Sequence, residues 1–335
     1  MNRHRKYDLP AKILEAITDD GWTVIYLEAP KLHPFRIRIH KGSESFNVRI
    51  YVWHLTHGGG KMRPADEYRV QITGVDRFEK EPDGLTLILG WWESGQVFAG
   101  FDIERHSGPL GFSPSIQIRE EALRKAYENG FAPWVKDNQE IAIAFHQDFL
   151  AEYIRNVSAL HTFGESDTDY EVLEGVSERP DEINDTVLAT VSAPRKTTVA
   201  QVARKVRDNG FKARVLNAYA GKCAFCGLQL RLVDAAHILP VSHEHSTDDT
   251  PNGLALCALH HRAYDKGLVT LNSKYQVLHN AKMAEKLKAE KLDGGLKRFL
   301  KDLRDVIVLP PAVNDRPHID FIRESNTLRG WKRAS

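Results

Sequence analysis

Three stretches in the C-terminal third of the chain decide how it folds, and they read Cys223-Ala-Phe-Cys226-Gly-Leu, Leu232-Val-Asp234-Ala-Ala-His237-Ile-Leu-Pro240 and Asn252-Gly-Leu-Ala-Leu-Cys257-Ala-Leu-His260-His261-Arg-Ala-Tyr-Asp265-Lys-Gly. They contain all three cysteines of the chain, two of them spaced Cys-x-x-Cys. In a chain with so few cysteines, this spacing favours metal or redox chemistry over disulfide bonds. A second pair of metal-type ligands further along the chain favours the metal.

The spacing of cysteine and histidine predicts a structural zinc site. Thiolates favour zinc, and such sites close with four cysteine or histidine ligands. Cys223 and Cys226 supply one pair from a tight turn, while Cys257 and His260 are three residues apart and share a helix face. His261 is rotated by roughly 100° from His260 and can face a different site. Pairing Cys257 with His261, four residues away, is the alternative that the spacing leaves open.

Together, the three stretches resemble the HNH endonuclease superfamily, the ββα-metal fold. The resemblance extends from residue 221 to residue 270 and slightly beyond, and it rests on three elements in the expected order. These are a cysteine knuckle, a strand that ends in His-Ile-x-Pro, and Asn-Gly-Leu before a Cys-x-x-His-His helix. The resemblance implies an α+β protein in which a mixed β-sheet and helix domain precedes a zinc-stabilised ββα-metal (HNH) nuclease domain. This architecture is similar to that of restriction-type HNH endonucleases, in which a separate module selects the target.

The resemblance also implies catalytic roles for three residues. His237, at the end of the first strand, would be the general base, because histidine side chains titrate near neutral pH and can take a proton from water. His261 would bind a catalytic divalent ion, Mg²⁺ or Mn²⁺, as a Lewis acid at the phosphate. Asn252 would position the loop and the strand, with a helix cap as the alternative role for its side chain. The expected products are a 5′-phosphate and a 3′-hydroxyl.

One position departs from the commonest form of this family. Ala236 stands just before His237, where an aspartate or a histidine often binds the catalytic ion. Asp234 lies on the same face of the predicted strand, one pleat back, and could supply the missing carboxylate. Alternatively, Asp234 makes only a structural hydrogen bond. Asp265, four residues after His261, could be a further ligand of the ion or could fix the end of the helix.

Length and charge distribution predict two domains. The chain has 335 residues, about twice the usual domain length of roughly 150. Between residues 165 and 185, nine residues are acidic and one is basic, which predicts an acidic linker over residues 161–194. From residue 195 to residue 222, eight residues are Lys or Arg and one is Asp. This balance predicts a basic helix that leads into a nuclease domain of residues 195–335 with a C-terminal helical extension.

Basic side chains near the three stretches could neutralise DNA phosphates. The candidates are Arg204, Lys205, Arg207, Lys212, Arg214, Arg262 and Lys266. The net charge of the chain is only +1, so the overall charge by itself does not indicate a polyanionic partner.

Residues 1–160 show the pattern of a mixed sheet and helix domain. Apolar alternation and β-prone runs predict strands over residues 36–40, 47–53, 68–73, 85–89 and 96–103, and apolar spacing predicts helices over residues 120–129 and 141–156. Because the small nuclease motif would contact few base pairs, we expect this domain to recognise the DNA target or to act as a sensor.

Hydrophobic residues make up 42% and charged residues 27% of the chain, as in soluble globular proteins. No apolar run approaches the ~20 residues of a membrane helix, so we expect no membrane partner. The sequence therefore predicts a cytoplasmic restriction endonuclease for antiviral defence, which cuts double-stranded DNA with a structural Zn²⁺ and a catalytic Mg²⁺ or Mn²⁺. A homodimer would let one active site per chain cut both strands. The alternatives are an inactive DNA-binding protein with an HNH fold, and an effector nuclease whose N-terminal domain senses a protein or a small signalling molecule.

Overall fold

The computed structural model describes residues 9–29, 33–58 and 64–331. The chain divides into two compact units, residues 1–207 and residues 208–335. The sequence predicts a first domain that ends at residue 160 and a second domain that begins at residue 195, with a linker between them. No helix in the described ranges is both long enough and apolar enough to cross a membrane.

Unit 1, residues 1–207, is built on a mixed sheet. Its strands are β1 (Thr23–Tyr26), β2 (Phe35–Lys41), β3 (Glu44–His57), β4 (Glu67–Gln71), β5 (Leu85–Trp92), β6 (Val97–Phe101), β7 (Ser115–Arg119), β8 (Phe131–Val135) and β9 (Ile141–His146). Its helices are α1 (Leu9–Asp19), α2 (Glu120–Asn129), α3 (Leu150–Leu160), α4 (Asp167–Glu178), α5 (Asp185–Thr190) and the first part of α6 (Ala193–Ala218).

The sheet follows the order β1-β2-β3-β5-β6-β9-β8, while β4 pairs with β3 and β7 pairs with β4. The β3–β5 pair is parallel, and the other pairs are antiparallel. The predicted strands correspond to β2, β3, β4, β5 and β6, and the helix predicted over residues 120–129 is α2.

The central strand β5 shows that the sheet is covered on both faces. Its sequence, Leu-Thr-Leu-Ile-Leu-Gly-Trp-Trp, is apolar at successive positions, as expected for a strand buried on both sides. Because strand side chains alternate, Leu89 and Trp91 pack in one core layer, and Ile88 and Trp92 pack in the other. Residues of α1 and α3 complete the first layer, and residues of α2 complete the second.

The prediction of a helix over residues 141–156 is wrong for the first half of this range. Residues 141–146 form β9, and α3 begins only at Leu150. Ile143 and Phe145 pack in the first core layer, while Ala142 and Ala144 pack in the second. A strand that is apolar on both faces has no polar positions to reveal its two-residue period, so its sequence looks like part of a buried helix.

Residues 161–194 form helices where the sequence predicts a linker. The helix α4 buries Leu173 and Val176 in the first core layer of unit 1. Asp169 is buried as well, and its carboxylate accepts hydrogen bonds from Ser192 (2.7 Å) and Arg195 (2.8 Å). A few well-spaced apolar residues and one buried ion pair therefore fold a segment whose acidic composition indicates solvation.

Unit 2, residues 208–335, contains the predicted ββα element. The strand β10 (Val233–His237) pairs antiparallel with β11 (Gly253–Cys257), and α7 (Ala258–Asp265) follows at once. The remaining elements are β12 (Val269–Leu271), which pairs with β13 (Val277–His279), and the helices α8 (Ala281–Ala289), α9 (Leu296–Asp302) and α10 (Ile319–Leu328).

The second part of α6 lies against this element. Its residues Phe211 and Val215, and Tyr219 directly after the helix, belong to the core of unit 2. Gly253, at the start of β11, permits the close approach, because a Cβ atom at this position would lie 2.2 Å from Val215 Cγ2. The glycine of the Asn-Gly-Leu stretch is thus required by packing.

We expect Gly100→Ala to destabilise unit 1. A Cβ atom at this position of β6 would lie 2.2 Å from the hydroxyl oxygen of Tyr153. Tyr153 is fully buried and its hydroxyl is 2.8 Å from His161 Nε2, so the ring cannot move aside without losing this hydrogen bond. The free energy of unfolding, measured by urea denaturation, should fall by about 1–3 kcal/mol.

Gly108→Ala is the matched control for this substitution. No atom lies within 4 Å of a Cβ built at Gly108, so the free energy of unfolding should change by less than about 0.5 kcal/mol. Equal effects of the two substitutions would contradict the packing described for Gly100.

Candidate functional site

The predicted cysteine and histidine ligands meet in one buried cluster in unit 2. The ligand atoms of Cys223, Cys226, Cys257 and His260 all lie within 4.8 Å of one another. His260 Nδ1 is 3.2 Å from Cys257 Sγ and 3.6 Å from Cys223 Sγ. His261 does not belong to this cluster. The structure therefore brings together the first of the two ligand sets that the spacing allows.

Three different elements contribute to this Cys3His cluster. Cys223 and Cys226 lie in a turn closed by a 2.7 Å hydrogen bond from the N–H of Gly227 to the carbonyl of Cys223. Gly227 has a φ of +81°, which favours glycine. Cys257 ends β11, and His260 lies in the first turn of α7. A shared ion would consequently cross-link the turn, the strand and the helix.

The pKa values of the thiols indicate how the cluster would receive a cation. Burial opposes ionisation of Cys223, but hydrogen bonds from His260 and from backbone N–H groups outweigh it and lower the thiol pKa to about 6. Burial and the neighbouring Cys223 thiolate raise the pKa of Cys226 to about 12, and they also raise the pKa of Cys257. Burial and the Cys223 thiolate thus both oppose ionisation of the other two thiols, and a bound divalent cation would favour their thiolate forms.

The cluster fits a zinc ion. Tetrahedral zinc, with Zn–S distances of about 2.3 Å and Zn–N distances of about 2.0 Å, separates its sulfur and nitrogen ligands by roughly 3.5 Å. The two distances from His260 Nδ1 to sulfur, 3.2 and 3.6 Å, agree with this value. A closed set of four protein ligands is typical of structural zinc sites.

His237, the predicted general base, ends β10 and is held by two contacts. Its Nε2 atom lies 2.9 Å from Asp248 Oδ1, in the loop before β11. Its ring stacks on Phe211 of α6, with 3.8 Å between the ring centroids and 12° between the ring planes. The side chain remains 17% exposed. The position and the plane of the imidazole are therefore fixed, while solvent can still reach it.

Asn252 is fully buried, and its amide holds the loop between β10 and β11. Its Oδ1 atom accepts a hydrogen bond from the N–H of Leu239 (2.9 Å). Its Nδ2 atom donates to the carbonyls of Leu239 and Thr247 and lies 3.1 Å from the Ser246 hydroxyl oxygen. The bonds tie both ends of the loop together, which corresponds to the positioning role implied by the resemblance.

The three residues predicted to bind the catalytic ion do not form one group of ligands in the described structure. His261 Nε2 lies 3.8 Å from Asp265 Oδ2, one turn later on α7. Asp234 is 54% exposed and lies 3.2 Å from Lys212 Nζ. Its carboxylate also accepts a hydrogen bond from the N–H of Ala235. The contacts of Asp234 thus correspond to the structural alternative, while His261 and Asp265 remain together.

The basic residues predicted to contact DNA differ in their surroundings. Four of them make contacts within their own unit: Lys205 with Asp20, Arg207 with the carbonyl of Pro180, Lys212 with Asp234, and Arg214 with the carbonyl of Asp248. Arg204, Arg262 and Lys266 are exposed, and Arg204 also has an interaction partner. Arg262 directly follows His261 on α7, and Lys266 directly follows Asp265 at the end of the helix.

Asp248 and Phe211 are site residues that the sequence analysis missed. Asp248 lies in a polar loop beside Asp249, and no spacing distinguishes one aspartate from the other. Phe211 lies on a helix that precedes the motifs. The signal that could have revealed it is its position four residues before Val215, on an apolar helix face.

We expect His260→Asn to abolish zinc binding by the Cys3His cluster, because the substitution removes one of four ligands. Structural zinc contributes on the order of 10 kcal/mol to the folding of small zinc domains, so the thermal transition of unit 2 should move to a much lower temperature. The zinc content can be measured by mass spectrometry and the transition by calorimetry.

His261→Asn is the matched control for the zinc measurement. It makes the same change at the next residue of α7, outside the Cys3His cluster. This variant should keep the thiolate-bound zinc and the transition temperature of the unsubstituted protein. Equal zinc loss from the two variants would show that the ligand set is assigned incorrectly.

Two family models match parts of the chain. Residues 46–154 match the family model described as "Methylase-associated X1", and residues 223–272 match the model described as "HNH endonuclease". No curated protein matches the sequence. A solved structure described as "Modification dependent TagI restriction endonuclease" is 14% identical, with 83% of this chain and 80% of that chain covered, but the TM-score of 0.27 does not establish a common fold. Residues 223–272 therefore form an HNH endonuclease domain, in one chain with a segment of the methylase-associated X1 family.

Proposed function

We propose that this protein is a metal-dependent endonuclease that hydrolyses phosphodiester bonds of double-stranded DNA and restricts foreign DNA in the cytoplasm. The observation that carries the proposal is the position of His237 within the HNH domain. The imidazole ends β10, is partly exposed, and is held by Asp248 and Phe211. A fixed imidazole that solvent can reach is suited to take a proton from water.

The contact with Asp248 determines which nitrogen of His237 acts as the base. When Nε2 donates its proton to the Asp248 carboxylate, the lone pair of the neutral ring lies on Nδ1. Proton transfer from water to Nδ1 then produces an imidazolium ion, whose positive charge the carboxylate stabilises. The stack on Phe211 keeps the ring in one plane through this step. Asp248 and Phe211 are thus positioning residues for the general base.

His261 and Asp265 are the residues that we propose to hold the catalytic ion. They lie one turn apart on α7, both are partly exposed, and an imidazole nitrogen and a carboxylate oxygen suit Mn²⁺, with Mg²⁺ also accepted by the carboxylate. Tyr264, on the same helix, has its hydroxyl 3.5 Å from the carbonyl of Ile238, the residue after His237. The helix therefore packs beside the end of β10. When bound, the ion would stabilise the charge on the phosphate and on the leaving oxygen.

Exposed basic residues support a DNA substrate. Arg262 and Lys266 are exposed next to the proposed ion ligands, and Arg204 is exposed on α6. We propose that these side chains contact backbone phosphates, which would place the duplex without reading its sequence. Lys205, Arg207, Lys212 and Arg214 would do so only by leaving their present partners.

We assign target selection to unit 1. A small nuclease domain touches few base pairs, so the choice of sequence or of a modified base would fall to the rest of the chain. A sensor of a protein or of a small molecule is the alternative role for unit 1. A homodimer would supply the second active site needed to cut both strands.

We expect the protein to nick supercoiled plasmid in the presence of Mg²⁺ or Mn²⁺, and His237→Ala to lower the rate by about 10²- to 10⁴-fold, the contribution of a general base. His279→Ala, at an exposed histidine of β13, is the control and should cleave normally. If the unsubstituted protein and His237→Ala are equally inert, the endonuclease hypothesis is excluded, and the hypothesis of an inactive DNA-binding protein remains.

We also expect cleavage to depend on the DNA supplied. Modified and unmodified genomic DNA should be cut to different extents or at different sequences, and mapping of the ends should give 5′-phosphates and 3′-hydroxyls. Cleavage that requires an added effector, regardless of sequence or methylation, would favour the sensor role for unit 1.

A further inference from the structure

A second cluster of metal-binding side chains lies in unit 2, apart from the residues assigned above. His243 and His245 are at the tip of the loop between β10 and β11, and Glu324 lies on α10. His243 Nε2 is 3.5 Å and His245 Nδ1 is 2.9 Å from the same oxygen, Glu324 Oε1. One ligand atom from each of the three residues lies within 4.8 Å of the other two.

We propose that His243, His245 and Glu324 form a second metal site, for a divalent transition-metal ion such as Zn²⁺. Two imidazoles and one carboxylate are a ligand set that zinc accepts, and they leave at least one coordination position for water. The set contains no thiolate, so it differs in chemistry from the Cys3His cluster. The side chains are 21%, 63% and 33% exposed, in the same order, and an ion can therefore enter from solvent.

The surroundings of the histidines favour a cation. His245 Nε2 lies 3.7 Å from a carboxylate oxygen of Glu244, while its Nδ1 faces Glu324. With Nδ1 on the ion, the Nε2 proton would point to Glu244, which is the arrangement common behind metal-bound imidazoles. His243 would bind through Nε2 and carry its proton on Nδ1, giving up the 3.3 Å contact that Nδ1 makes with the N–H of His245.

Both sides of the proposed site are anchored in the HNH domain. On α10, Asn326 is buried, lies 2.6 Å from the Thr270 hydroxyl and donates to the carbonyl of Leu271, which fixes the helix against β12. In the loop, Ser246 and Thr247 follow the histidines directly and bind the Asn252 amide. An ion would therefore connect α10 to the loop that also carries Asp248, the partner of His237.

Cobalt titration of the full chain tests this site with a readout that is independent of cleavage. Cobalt bound by thiolates absorbs in the near ultraviolet through charge transfer, whereas cobalt bound by imidazole and carboxylate gives only weak visible bands. The titration is done in a His261→Asn background, so that no ion is held by the His261 and Asp265 pair. We expect two equivalents of cobalt, of which one produces the thiolate band.

Glu324→Ala and His243→Ala should each bind one equivalent of cobalt, the one that produces the thiolate band. The retained thiolate band would show that the domain remains folded. Asp320→Asn is the matched control, because it changes an exposed acidic residue of α10 outside the cluster. It should bind two equivalents. A single equivalent in the parent protein, or a second equivalent that survives Glu324→Ala, would overturn the proposal. Two equivalents in this background, together with an unsubstituted protein that cleaves no DNA, would contradict the proposed function and leave this site in place.

Discussion

The Cys3His cluster, with three thiol groups and one imidazole in contact, is the constraint on which the HNH domain depends. It joins a turn, the end of β11 and the start of α7 at one point, and the turn is tied to β11 by a 2.7 Å hydrogen bond from the N–H of Ala224 to the carbonyl of Ala255. Fixing His260 in this cluster also fixes its neighbour. His261 is turned by about 100° on the helix and is 30% exposed. The position of His260 in the cluster thus determines the direction in which His261, the proposed ligand of the catalytic ion, points.

The second constraint is the distance between α6 and the β10–β11 pair. Gly253 allows Val215 to approach β11, and Phe211, one turn earlier on α6, reaches the ring of His237. Asn252, beside this glycine, fixes the loop that carries Asp248. The Asn-Gly pair therefore supports His237, the proposed general base, in two ways. The Asn252 amide holds the loop that carries Asp248, and the absence of a side chain at Gly253 leaves room for α6, which carries Phe211.

A feature could be predicted from the sequence when residues close together in the chain determine it. The Cys3His cluster was predictable because its ligands come in two close pairs. The spacing left either His260 or His261 as the fourth ligand, and the resemblance assigned His261 to the catalytic ion. Asp248 was not predictable, because the conformation of the loop determines that Asp248 and not Asp249 contacts His237. In unit 1, β9 and α4 were missed for opposite reasons: β9 is apolar on both faces, and α4 buries few residues within an acidic segment.

The loop between β10 and β11 explains how one small domain can serve folding and chemistry together. Its ends are fixed through the Asn252 amide. Its polar side chains contact other groups: Asp248 contacts His237, the proposed general base, and His243 and His245 contact α10. A general base needs a partner that does not move during proton transfer, since a carboxylate that drifts no longer stabilises the imidazolium. The two histidines at the loop tip contact α10 through Glu324. An ion at that point would stiffen the segment that carries Asp248, so the proposed second metal site bears directly on the geometry of His237.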